Sequence, residues 1–301
     1  MLNKYSLFKQ ILKSLTSNDF SVFLSKGCFN IAAKKDYKLL IKFSFNLDSL
    51  REEHALSLRA ISYFTSAYPL IVSVKNNRGP LNNKVVYSRF NTPVVTPKML
   101  ECLVEEEDVP FIQSTKGKHL TWIDSRMMRK RRKEKGIGLG QLSKLTGISK
   151  KCLYEIENEK VRPTIETVEK IEKVLGVNIK RRFEFKEPIP AFLKPRDEFQ
   201  KIISKEFERI GMENSCVYAA PFEIIGREGK TLITRLVRRQ KEIENSKNIK
   251  LLSEFFSSRA IFVAKEKKLE EINEIPVFSE EEIKSVENLE EFEKMIEEKI
   301  C

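Results

Sequence analysis

Cysteine is sparse and unpatterned in this chain. Cys28, Cys102, Cys152, Cys216 and Cys301 are scattered over 301 residues, odd in number and without a CxxC pair. That leaves no basis for a disulfide framework or a zinc site. The two histidines, His54 and His119, are far apart and outside any ligand-spaced motif, so no metal is expected. Long apolar runs are also missing. The longest extend over about five residues, against roughly 20 needed to span a bilayer. The opening MLNKYSLFKQILKSL reads as a short amphipathic helix without the apolar core and cleavage site of a secretory signal. The chain is therefore expected in the cytoplasm, with no membrane contact. No phosphate-cradling glycine loop occurs either. GREGK (226–230) lacks that spacing and reads as a hairpin turn, so no cofactor is expected.

What the chain does have is positive charge, unevenly placed. The formal net charge is +12. Residues 115–182 hold 19 Lys and Arg against 8 Asp and Glu, whereas residues 183–301 carry a net −4. A basic segment of this kind attracts a polyanion through counterion release. Hydrophobic content of 41% and charged content of 33% fit a folded, multidomain chain of this length.

Three blocks emerge. The first, 1–112, offers short strands CFNIAA and KLLIKFSF. A helix DSLREEHALSLRAISYFTSA follows, capped by Asp48 or Ser49, then a strand PLIVSVK. Two short strands in VVYSRFNTPVVT lead to a helix TPKMLECLVE with Thr96 as cap and Pro97 at its first position. The third, 186–301, runs in the same order. YAAPFEIIG and TLITRLV read as strands, NIKLLSEFFSS as a helix, RAIFVAK and IPVFS as strands, and EEEIKSVENLEEFEKMIEEKI as one helix. The parallel suggests an internal duplication, although a generic α/β pattern would give a similar order.

The middle block, 113–182, reads as a helix-turn-helix. KHLTWIDS contains a short strand, with Ser125 as a possible cap for the helix RMMRKRRKEK. A second helix, entered at Gly138, covers Leu139 to Leu145 and stops at Gly147. Ser149 caps a third over Lys150–Glu157. Leu142, Leu145, Ile148, Leu153 and Ile156 form the expected wedge between them. Thr164 caps a further helix ending at Gly176, whose stripe Ile165, Val168, Ile171 and Val174 or Leu175 covers the wedge. Lys150, Lys151, Tyr154 and Glu155 then face outward on a rod that fits the major groove. Trp122 is expected to pack inside.

Met128 to Val177 resembles the DNA-reading domain of the phage λ repressor and Cro type, through EKGIGLGQLSKLTGIS and then KKCLYEIENEKVRPTIETVEKIEKVLGV. Ser143 stands where alanine is usual, Gly138 where Ser, Thr or Asn caps, and Glu159 where glycine follows the recognition helix. The three-block layout also resembles a family of archaeal transcriptional regulators, through NLDSL, PLIVSVK and IPVFSEEEI. The resemblance implies an all-α domain of five-helix type, flanked by two α/β domains, that binds double-stranded DNA. Because a single such domain rarely gives enough affinity alone, a homodimer on two-fold-related half-sites is expected. It implies contacts from Ser149, Lys150, Lys151, Tyr154 and Glu155, and from Arg129, Arg132, Lys160 and Arg162. Operator and effector are not legible.

A rival reading is a Mg²⁺-dependent nuclease. The flanking blocks resemble the restriction-endonuclease-like fold, in which two carboxylates hold the metal and a lysine acts on water. In the first block Asn30 and Leu40 stand at the acid positions and only Lys42 remains. The third retains Glu223 but carries Ile233 and Arg235. Both are expected to have lost catalysis.

Overall fold

The computed structural model describes residues 3–106, 109, 111–115, 118–239 and 246–300. The chain forms two compact units. One comprises Met1–Ser14, Phe45–Leu47 and Val72–Phe185; the other comprises Leu15–Ser44, Asp48–Ile71 and Lys186–Cys301. The first α/β block thus contributes to both.

In chain order the first block is α1 (Lys4–Ser17), β1 (Ser21–Leu24), β2 (Ile31–Lys34), β3 (Lys38–Asn46), α2 (Glu52–Thr65), β4 (Tyr68–Asn76), β5 (Gly79–Pro80), β6 (Tyr87–Arg89), β7 (Thr92–Val95) and α3 (Pro97–Val104). The middle block is β8 (Ile112–Thr115), β9 (Lys118–Thr121), α4 (Ser125–Glu134), α5 (Leu139–Thr146), α6 (Lys150–Glu157) and α7 (Ile165–Leu175). The third is α8 (Glu198–Arg209), β10 (Glu213–Cys216), β11 (Ile224–Glu228), β12 (Lys230–Val237), α9 (Ser246–Phe256), β13 (Arg259–Ala264), β14 (Glu271–Ile272), β15 (Ile275–Ser279), α10 (Glu280–Ser285) and α11 (Leu289–Ile300).

The architecture is α+β. One sheet has the order β1-β2-β3-β4-β7-β6, with β5 on β4; the other has β10-β11-β12-β13-β15-β14. Apart from β5, the two strand orders run alike. In the second sheet β12, β13 and β15 run parallel. Parallel neighbours need a crossover, which α9 supplies between β12 and β13. Strand β13 reads RAIFVA without alternation and buries its last five residues, as expected for a strand covered on both faces. Phe199, Ile203 and Phe207 of α8 pack on this sheet with Phe292 and Ile296 of α11.

Several local expectations need correction. Neither Asp48 nor Ser49 caps α2. Residues Leu47–Ser49 form a 3₁₀ turn, and Arg51 precedes the helix without a side-chain cap bond. The strand placed at 218–226 begins only at Ile224, because Ala219 (φ 51°) turns the chain before Pro221. The single C-terminal helix is two, broken where Val286 becomes extended. Thr96 caps α3 as expected, accepting the Met99 N–H at 3.2 Å. Among the described residues no helix is long and apolar enough to cross a membrane.

Candidate DNA-reading site

The domain that carries the site is not all-α. Strands β8 and β9 form an antiparallel hairpin, and four helices follow, not five. The hairpin is tied to the helices by backbone bonds. Thr121 N–H donates to Pro163 O at 3.0 Å, Asp124 N–H to Ile179 O at 2.8 Å and Arg181 N–H to Trp122 O at 2.8 Å. Asp124, not Ser125, caps α4, accepting the Met127 N–H at 2.8 Å.

Met128, Leu142, Leu153, Ile156, Val168, Ile171, Leu175 and Ile179 form the core that aims α6. Leu145, expected in the wedge, is 56% exposed. Thr146 takes the inward position one turn after Leu142 and donates its hydroxyl proton to Leu142 O at 2.7 Å, which leaves Leu145 facing out. Gly147 ends α5 in the left-handed conformation, φ 73°, where a side chain would be strained. Ser149 Oγ then accepts the Cys152 N–H at 3.2 Å and starts α6. That helix spans the expected residues.

Around this rod the structure sorts the expected contacts into two groups. Ser149, Lys150, Lys151, Tyr154 and Lys160 are exposed, and Glu155 is half-buried. Lys160 Nζ lies 5.7 Å from the Tyr154 ring centroid, and the Arg162 guanidinium 4.1 Å from that of Trp122. Trp122 also stacks on Phe111 at 4.1 Å and 9°. Both indole faces are therefore in use, which supports packing over base stacking. Arg129 is 44% exposed in its side chain, but donates to Glu157 O at 3.1 Å and Asn158 Oδ1 at 3.0 Å.

Arg132 is a correction. Its Nε donates to Glu157 Oε1 at 2.6 Å, a terminal nitrogen to Oε2 at 3.0 Å and the other to Ile137 O at 2.9 Å. The Arg132 side chain is 11% exposed and that of Glu157 is 3%. Arg132 is a strut between α4 and α6 rather than a phosphate contact. Sequence reasoning missed Glu157. The available signal was its place four residues after Leu153, on the inward stripe.

Glu159, standing where glycine was expected, keeps glycine's conformation with φ 58°. Its carboxylate accepts from Ser125 Oγ at 2.5 Å and Arg181 at 3.1 Å.

The nuclease-type positions are occupied by internal bonds. Asn30 Oδ1 accepts the Phe43 N–H at 2.9 Å, Leu40 is buried, and Lys42 Nζ donates to Gly27 O. In the third block Glu223 accepts from Arg235 at 2.8 Å and from the Leu236 N–H at 2.9 Å. Arg238 bonds Asp197 at 2.6 Å and lies 3.9 Å from Glu223. Among the described residues no group of three or more His, Cys, Asp or Glu could hold a metal ion.

Comparison with known proteins follows the same division. Residues 4–110 match the PD-(D/E)XK superfamily domain and residues 128–181 the helix-turn-helix family. An HTH-type transcriptional regulatory protein of Methanocaldococcus jannaschii is 26% identical, covering 96% of this chain and 95% of its own. One of Methanothermobacter thermautotrophicus is 28% identical over 100% and 98%, and one of Pyrococcus abyssi 26% over 96% and 95%. No solved structure matches the chain. Residues 128–181 thus carry a helix-turn-helix domain match of the λ repressor and Cro type, in a chain similar over nearly its full length to archaeal HTH-type regulatory proteins.

Proposed function

We propose that this chain is a sequence-specific transcriptional regulator that inserts α6 into the major groove of double-stranded DNA. The observation that carries this reading is the cationic, exposed start of α6, capped by Ser149 and braced from behind by Leu142, Leu153 and Ile156. Lys150 or Lys151 donates to guanine O6 or N7, and Glu155 accepts from cytosine N4. Ser149, Tyr154, Arg129, Lys160 and Arg162 contact the backbone. A homodimer of 35.1 kDa protomers places two such helices on half-sites about 34 Å apart. The flanking blocks, a duplicated restriction-endonuclease-like pair, serve as a non-catalytic scaffold, and the protein works in the cytoplasm.

Selection of bound sequences from random duplexes tests this. The expected result is a palindromic consensus that disappears for the Lys150→Ala, Lys151→Ala double variant. Unaltered enrichment by that variant would sink the reading.

The superfamily match over residues 4–110 favours one alternative, a nucleic-acid enzyme. Incubating the protein with duplex and branched DNA and Mn²⁺ separates the two. Cleavage that disappears in Lys42→Ala or Glu223→Gln would replace the scaffold role with a nuclease.

A further inference from the structure

The first unit contains a cavity of about 340 Å³ that the DNA-reading role does not use. Its size falls at the lower end of small-molecule sites. Its walls are fixed by backbone bonds. Val86 N–H donates to Ile112 O at 2.7 Å and Ser114 N–H to Val86 O at 3.1 Å, which anchors the segment between β5 and β6 on β8. On the other side, Leu120 of β9 bridges to Thr164 at the start of α7.

The polar groups around the cavity divide into spent and unspent. Lys180 Nζ bonds Glu172 at 2.5 Å, and the second Glu172 oxygen accepts the Ile179 N–H at 2.9 Å. Asn82 Oδ1 accepts the Lys84 N–H at 2.9 Å, and Asn178 Oδ1 the Lys180 N–H at 3.0 Å. Each of these asparagines thereby keeps its NH₂ group for another partner. Among the described residues the Lys84 ammonium and the Glu169 carboxylate have no hydrogen bond or ion pair. His119, a further lining residue, has a buried Nδ1 with no hydrogen-bond partner. The remaining wall is aliphatic: Val85, Ile112 and Ile165.

We propose that this cavity binds an aliphatic α-amino acid. Lys84 and the two carboxamide NH₂ groups receive its carboxylate, Glu169 receives its ammonium group, and Val85, Ile112 and Ile165 receive its side chain. A simple carboxylate leaves Glu169 unanswered, and a simple amine leaves three donors unanswered. A zwitterion answers both halves. The lining joins α7 of the DNA-reading domain to the segment before β6, so occupancy bears on how that domain is held. This regulatory consequence rests on the proposed function; the binding itself does not.

Isothermal titration of the full-length protein, without DNA, with L-valine, L-isoleucine and L-leucine tests the site. At least one is expected to give saturable heat. Glu169→Gln and Lys84→Ala should each weaken that binding about tenfold, the loss of one charge-assisted hydrogen bond. Isopentylamine and 4-methylpentanoate, each lacking one charged end, should bind at least as poorly. Both replaced side chains are exposed, so the variants should melt like the wild type. Absence of saturable heat from all three amino acids overturns the proposal, and so does binding undiminished in both variants. Because no DNA is present, a failed titration leaves the regulator reading standing, and a failed operator selection leaves the amino-acid site standing.

Discussion

The pairing of Arg132 with Glu157 shows how a single residue determines the aim of α6. Both charges are nearly buried and meet through two hydrogen bonds. Removing Glu157 leaves the nearly buried Arg132 guanidinium without its counter-charge, a loss of about 3–5 kcal/mol for buried pairs. Glu157→Ala is therefore expected to lower the stability of the DNA-reading domain by that amount in urea denaturation. Exchange of an exposed residue such as Lys150 should change it by less than about 0.5 kcal/mol. Equal effects would show that the pair contributes no net stabilisation. Glu159 offers a second comparison. Its left-handed backbone is costly for any side chain, and the contacts to Ser125 and Arg181 offset that cost. Glu159→Ala retains the strained conformation and loses the contacts; Glu159→Gly loses the contacts and relieves the strain. The alanine variant should be the less stable of the two by about 1 kcal/mol. The reverse order of melting temperatures would mean that the φ of 58° is not a cost.

At the level of elements, legibility followed local chemistry. The bounds of α6 could be read because a left-handed glycine and a capping serine sit beside a strict apolar period, and each acts within a few residues. Arg132 could not be placed, because its partner is 25 residues away. The C-terminal helix was misread for a different reason. Ile283, Val286, Phe292 and Ile296 are all buried in one core, so the apolar pattern continues across the break. The discriminating signal was Asn288, whose Oδ1 accepts the Glu291 N–H at 3.0 Å and starts α11. Helix α10 has the stronger start, a reciprocal capping box between Ser279 and Glu282. Burial alone would raise the Glu282 carboxyl, but Lys267, the Ser279 N–H and Lys299 outweigh it and hold the group below its ordinary 4.5. A depressed folded-state value means that this contribution is present above pH 4.5 and fades as the pH falls through the folded value. Glu282→Gln should therefore cost up to about 1 kcal/mol at pH 7, and the gap from wild type should close on acidification below 4.5. A constant gap across that window would assign the effect to the cap alone.

For the whole molecule, the uneven charge noted in the sequence gains meaning from where the cations sit. Lys150 and Lys151 stand at the exposed tip of α6, whereas Lys160 and Arg162 lie past its far end, beside Tyr154 and Trp122. The two pairs should differ in what they do to DNA binding. A phosphate contact releases counterions, so each one lost lowers the slope of log affinity against log salt by about 0.9 and weakens all sequences alike. A base contact carries about 1–3 kcal/mol of discrimination. The Lys160→Ala, Arg162→Ala variant is thus expected to lower the slope by about 1.8 while keeping the preference for operator over random duplex. The Lys150→Ala, Lys151→Ala variant should collapse that preference. Trp122 provides a second readout of the Lys160 and Arg162 pair, since it is the only tryptophan and the Arg162 guanidinium lies on its ring. If Arg162 turns towards a phosphate, indole fluorescence should change on DNA binding in the wild type and not in Arg162→Ala. Identical slopes in both double variants, with fluorescence unmoved by DNA, would show that the chain meets its duplex through another face.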